Sequence, residues 1–244
     1  MILFCSSLLG GFVDSIAGGG GIITVPALLA VGVPPHLALG TNKVQSSFGA
    51  ITAAFNYWRG GYIDFKKVSA GILWTAIGAV AGSLSVQSLS ADFLVKAIPF
   101  LLTALFLYSL FNKSMGEGAS KPKIKESLYY VIFGLAIGFY DGFFGPGTGS
   151  FWTIAFASLL GFNLIKATAH TKVMNATSNV VSVVAFLISG NVILQAGLVM
   201  GAAQVIGALL GSKVVMKSGT KFVRIFFLIV VAITIFKLFW QQYA

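Results

Sequence analysis

Two lysines lie in stretches where a lipid bilayer makes a cation expensive. Lys43 sits beside Thr41, Asn42 and Gln45, and Lys172 sits in a matching run beside His170, Thr171 and Asn175. A cation near the bilayer centre costs at least about 2.5–3.5 kcal/mol on insertion scales unless it is paired or hydrated. Two such costs at equivalent positions point to a shared purpose, and a pair of cations facing a small anionic substrate suits them. The alternative is that each lysine pairs with an aspartate and only holds helices together. Asp14 and Asp141 are the carboxylates within membrane segments; Asp64, Asp92, Glu117 and Glu126 fall in loops or at segment ends. An apolar setting favours the neutral carboxyl, so such a group can also exchange a proton. Asp14, Asp141 and, beside Lys172, His170 are therefore candidates for proton coupling. For the two aspartates the competing role is a cap or salt bridge at a helix break. For His170 it is a satisfied place in a helix interface.

These groups belong to a unit that occurs twice. Gly11, Phe12 and Asp14 match Gly138, Phe139 and Asp141; Gly19 and Gly21 match Gly147 and Gly149; Gly32 matches Gly161; Lys43 matches Lys172. In each copy an aspartate precedes a glycine-rich break, a short apolar run follows, and a glycine turn leads to the lysine. The breaks, residues 18–21 and 145–149, leave helix starts whose free N–H groups and positive dipole ends favour anions. Glycine permits close approach and positive φ. An oxyanion is the ligand that two such helix starts and two lysines would share. The expected site is Lys43 and Lys172, the N–H groups of Gly20, Gly21, Gly147 and Gly149, and the orienting side chains of Thr41, Asn42, Gln45, Thr171 and Asn175. It is not a nucleotide loop, because no strand precedes the glycines and no Gly-Lys-Ser/Thr follows.

Elements of a particular kind are needed to place these residues. With 57% hydrophobic and 9% charged residues, apolar runs of transmembrane length recur almost end to end. They predict an all-α, polytopic membrane protein. Helices are expected at about 2–17, 22–32, 36–57, 68–88, 93–112, 126–144, 149–160, 164–188, 193–213 and 221–242. The second and seventh have about 11–12 residues, roughly 17 Å at 1.5 Å per residue, or half a bilayer core. Cations gather in loops 58–67, 113–125 and 213–224, which the positive-inside rule puts on the cytoplasmic side. Each glycine-broken pair then returns to the side it came from, and each half adds three full spans. That odd count inverts the halves, an arrangement suited to alternating access around a midplane site. The expected organisation is one membrane domain over 1–244: repeat 1 at 1–112, a cytoplasmic linker at 113–125 and repeat 2 at 126–244. Irregular backbone inside a membrane needs protein or a wet cavity around it, so the two breaks should meet.

Several classes fall away. The net charge of +10 does not indicate nucleic acid, because the cations collect in short loops. One cysteine, Cys5, excludes an internal disulfide framework, and two histidines without a cysteine cluster make no usual metal site. No cofactor is expected. The first segment lacks a basic n-region and its pattern recurs at residue 138, so it reads as structural rather than as a signal peptide. His36, after Pro34-Pro35, reads as a cap or turn residue. Trp58, Trp74 and Trp240 read as interfacial anchors, and Trp152 either as another or as a wall of the cavity.

The stretch GGFVDSIAGGGGIITVPALLAVGVPPHLALGTNKVQSSFGAITAAFNYWRGGYID resembles the signature of the TauE/SafE sulfite-exporter family. FYDGFFGPGTGSFWTIAF with ATAHTKVMNATSN resembles the family's second repeat, and the match covers essentially the whole chain. The resemblance implies a multi-pass, bacterial-type inner-membrane transporter of sulfite-like, sulfonated or other organic anions. The partners implied are a small anionic substrate and the lipid bilayer. The leading reading is a secondary transporter by alternating access with possible proton coupling. An anion channel would hold the same site open to both sides. No nucleophile or metal constellation supports an enzyme, and oligomeric state is not readable.

Overall fold

The computed structural model describes residues 1–94, 96–97, 100 and 121–218. Among them the chain is helical, without strands. The helices are α1 (Ile2–Ala17), α2 (Gly20–Ala30), α3 (Pro35–Arg59), α4 (Phe65–Gln87), α5 (Glu126–Phe143), α6 (Thr148–Leu159), α7 (Leu164–Ile188) and α8 (Leu194–Ser218). The segments expected at 93–112 and 221–242, and most of the linker 113–125, lie outside the described residues.

Local chemistry sets where the elements begin. Asp64 caps α4 by accepting from the Lys66 N–H at 3.1 Å, and Asn163 caps α7 by accepting from the Lys166 N–H at 2.9 Å. Pro35 opens α3, where a missing N–H costs nothing. Several boundaries differ from the sequence-based reading, including the end of α3, which runs to Arg59. The helix α4 starts at Phe65, so Lys66 lies in its first turn rather than in the loop. The helix α8 continues past 213 and takes in Lys213 and Lys217, because no glycine or proline lies between Gly211 and Ser218. The first break is Gly18 and Gly19 alone. Gly18, at φ 75°, closes α1 with its N–H on the Asp14 carbonyl at 2.8 Å. One left-handed residue makes the turn, so Gly20 and Gly21 already belong to α2.

Among the described residues, three helices are long and apolar enough to cross a membrane: Val68–Gln87, Leu164–Ile188 and Leu194–Lys217. At 25 residues α3 is about 37 Å long. Its polar residues Thr41, Asn42, Lys43, Gln45 and Ser47 are buried, while Phe48, Ile51 and Phe55 are exposed on its outer face.

The helices pack reciprocally across the two halves of the chain. The most extensive contacts join α4 to α5 and α1 to α8, so each half's last described helix lies on the other half's first. The helices α3 and α7 cross at the centre, with α3 also on α8 and α7 on α4. Glycines allow the close approach, and they match atom for atom. A Cβ on Gly78 would meet the Leu135 carbonyl and the Phe139 N–H; a Cβ on Gly207 would meet the Leu8 carbonyl and the Phe12 N–H. Gly82 lies on the Phe139 carbonyl as Gly211 lies on that of Phe12. At one end a buried aromatic cluster of Tyr57, Tyr129, Tyr130, Trp152 and Phe156 closes the core.

Candidate functional site

The two glycine breaks meet. A Cβ on Gly18 would fall on the Gly149 backbone, and one on Gly21 would lie 3.0 Å from the Pro146 Cα. Gly145 and Gly147 have φ of 93° and 79°, so the second break uses two left-handed residues where the first uses one. Backbone of the two hairpins is thus in contact where α2 and α6 begin.

Around this contact the ionisable groups pair crosswise. Lys43 of α3 lies 2.6 Å from Oδ1 of Asp141 on α5 and also donates to the Asp141 backbone carbonyl. Lys172 of α7 lies 2.9 Å from Oδ2 of Asp14 on α1. Each lysine therefore takes the aspartate of the opposite half. Lys43 and Lys172 are 1% and 0% exposed, and at such depth a charge persists only if paired. The Asp141 Oδ2 accepts from the Ser178 hydroxyl. The Asp14 Oδ1 accepts only a long bond among those resolved, from the Gly20 N–H at 3.3 Å.

A chamber of about 20 Å3 lies between the pairs, which is room for about one water. Asp14, Asp141 and Lys43 face it, with Gly18, Gly21, Gly145, Gly147, Thr148 and Gly149 from the breaks and Asn42, Ser46, Asn175 and Asn179 from α3 and α7. Backbone, amide and hydroxyl groups thus surround two carboxylates and a cation. Chemically, the chamber can bind an anion if the lysines change partner, or pass a proton between water and a carboxylate.

The expected site residues divide into two groups. Lys43, Asn42, Asn175, Gly21, Gly147 and Gly149 line the chamber, and Lys172 reaches it through Asp14. Four others sit in the layer behind. Gly20 donates to Asp14. Thr41 accepts from the Ile193 N–H at 3.0 Å, and Thr171 lies 3.1 Å from Thr153. Gln45 donates to the Asn42 amide oxygen at 2.7 Å, accepts from Gln204 at 2.9 Å, and accepts from Ser7. This buried relay orients Asn42, whose oxygen also accepts from Thr24 at 2.6 Å.

His170 lies elsewhere. Its ring packs on Phe156 and Phe162, Nδ1 is 2.8 Å from the Lys166 carbonyl, and it borders a separate cavity with Asp64, Glu126 and Lys166. Trp152 is buried in the aromatic cluster, stacked on Phe156, and does not face the chamber. Ser46, Ser178 and Asn179 escaped the sequence reading. For Asn179 the signal is periodicity, since Lys172, Asn175, Asn179 and Ser182 recur along one face of a helix; the two serines carry no such signal. No group of three or more metal-type ligands occurs among the described residues.

Comparison with known proteins adds to this geometry. Residues 3–238 match the family described as Sulfite exporter TauE/SafE. A probable membrane transporter protein of Haemophilus influenzae is 44% identical over 223 residues, covering 91% of this chain and 88% of its own. The probable membrane transporter protein YfcA of Escherichia coli K12 is 41% identical over 242 residues, covering 99% of this chain and 90% of its own. A more distant probable membrane transporter protein of Bacillus subtilis, YdhB, is 26% identical over 170 residues, 67% of each chain.

Proposed function

Since the chain belongs to the sulfite exporter TauE/SafE family and is a membrane transporter, we propose that it carries a small sulfur-containing oxyanion of the sulfite type. It does so by alternating access of two inverted repeats within one multi-pass inner-membrane domain, with protons coupled to the anion. The observation that carries this reading is the crossed pairing. Lys43 and Lys172 are buried cations at equivalent positions, and each is neutralised by a carboxylate from the opposite half.

A chamber of about 20 Å3 holds about one water and is too small for an oxyanion with several oxygens. Binding therefore requires an ion pair to open. The anion takes hydrogen bonds that a lysine gave its aspartate, while the Asn42 and Asn175 amides and the N–H groups at the starts of α2 and α6 orient it. Both pairs join one half to the other, so replacing a lysine–aspartate contact with an anion contact loosens that junction and lets the halves rearrange. A carboxylate that loses its lysine is an uncompensated buried charge, and protonation removes that cost. The reciprocal packing of α1 with α8 and α4 with α5 supports related halves that can exchange conformations.

Radiolabelled sulfite flux into proteoliposomes, with and without an imposed proton gradient, tests the reading. Saturable flux stimulated by the gradient is expected. Folded protein that gives no flux above empty liposomes would remove sulfite as the substrate.

A further inference from the structure

The two ion pairs are related by the repeat but are not built alike. Asp141 is anchored at both oxygens: Oδ1 holds Lys43 at 2.6 Å, Oδ2 accepts from Ser178, and the residue's own carbonyl takes a second bond from Lys43. Its side chain is 4% exposed. Asp14 holds Lys172 at 2.9 Å through Oδ2, has the long Gly20 bond at Oδ1, and is 17% exposed. With Lys43 set against Lys172, the position matching Ser178 is Gly49. No hydroxyl can reach Asp14 from there. A Cβ on Gly49 would collide with Oε1 of Gln204, whose amide nitrogen is committed to Gln45 at 2.9 Å.

We infer that Asp14 is the carboxylate that releases its lysine and exchanges the proton, and that Ser178 is the positioning residue that keeps Asp141 an ionised, fixed partner of Lys43. Asp141 is fixed by a side-chain donor on each oxygen. Asp14 has one side-chain donor, a long backbone bond and the greater exposure, so it is the freer to change partner. The groups facing Asp14 fit this assignment. Lys172 approaches from α7, and Lys43 and Asp141 lie across the chamber from α3 and α5. Tyr57 of α3 donates to the Ser15 carbonyl at 2.9 Å. Every other residue lining the chamber is glycine, serine, threonine or asparagine.

The step balances simply. An arriving anion accepts from the Lys172 ammonium, which stays protonated. Asp14 then takes one proton from a hydronium ion, leaving a neutral carboxyl and a water. The second pair keeps its charges, so one proton accompanies each anion. This stoichiometry rests on the oxyanion reading above; the assignment of the proton to Asp14 does not.

Infrared difference spectroscopy on the full-length protein in lipid vesicles, without substrate, tests the assignment by following the carboxyl C=O stretch as pH falls. A band from a buried carboxyl is expected in the parent, absent in Asp14→Asn and retained in Asp141→Asn. Ser178→Ala, which removes one hydroxyl and leaves both pairs in place, is expected to add a second titrating carboxyl. Loss of the band in Asp141→Asn with retention in Asp14→Asn would overturn the assignment. Should Asp141→Asn not fold, the other two variants decide: a band surviving Asp14→Asn, or a Ser178→Ala spectrum identical to the parent's, overturns it. Because no anion is present, failure of sulfite flux leaves this result standing, and the reverse also holds.

Discussion

At the scale of single residues, the proposed function gives Lys43 and Lys172 two purposes that one experiment can separate. In the structure each joins two halves of the chain, and in the proposed transport each is a donor to the anion. Losing a charge-assisted hydrogen bond costs about 1.5–3 kcal/mol, so Lys172→Gln should weaken sulfite binding roughly 10- to 100-fold. Isothermal titration of the purified protein reads this directly; unchanged affinity in both Lys43→Gln and Lys172→Gln would remove the lysines from the site. Breaking a buried pair from one side costs about 3–5 kcal/mol, whereas replacing both partners is often nearly neutral. Lys43→Gln should therefore lower the unfolding temperature, and Lys43→Gln with Asp141→Asn should recover much of it without restoring binding. Recovery of binding in the double variant would make the pair purely structural. The lysines, aspartates and Asn175 were legible because their residue types are costly in a membrane. Ser46 and Ser178 were not, because a serine in a helix is common and only its partner marks it.

At the scale of elements, the hairpins depend on glycine for two different reasons. Gly18 needs its left-handed φ of 75° to end α1, and it also needs an empty Cβ position against Gly149. Gly149 needs only the second. A left-handed residue with a side chain costs roughly 1–2 kcal/mol, and overpacking adds typically 1–3 kcal/mol. Gly18→Ala should thus destabilise by about 2–5 kcal/mol in chemical unfolding, and Gly149→Ala by about 1–3. Equal effects would mean that the backbone conformation at Gly18 contributes nothing. Helix starts were readable at Pro35 and Asn163, where a proline or a cap marks them, but not at Asp64, which caps α4 ahead of the expected start. The start of α2 was not, since four consecutive glycines do not show which of them turns. That is decided by which carbonyl accepts the Gly18 N–H.

At the scale of the whole molecule, the proposed inversion of the halves has a topological consequence. Arg59 ends α3 and Ser189 directly follows the end of α7, and both are exposed. If the repeats are inverted, these positions lie on opposite membrane faces. In a background with exposed Cys5 replaced by serine, Arg59→Cys and Ser189→Cys should react with an impermeant thiol reagent from opposite sides of sealed, oriented vesicles. Labelling of both from one side would rule the inversion out, and with it this form of alternating access. The packing of α4 on α5 and of α8 on α1 also implies that neither half reaches its final packing alone, since each half's first helix packs on the other half's last described helix.

The sequence by itself determined the class of molecule, the duplicated unit and the ionisable residues at its centre. Composition, period and the energetic cost of charge in lipid are local properties that any stretch of chain displays. Only the tertiary structure decided which lysine meets which aspartate. Pairing within a half and pairing across halves use the same residues at the same spacing, and packing chooses between them. The structure also decided that the two pairs differ. Gly49 and Ser178 occupy matching places in the repeat, and their contrast has meaning only once Gln204 fills the space above one and Asp141 reaches the hydroxyl of the other.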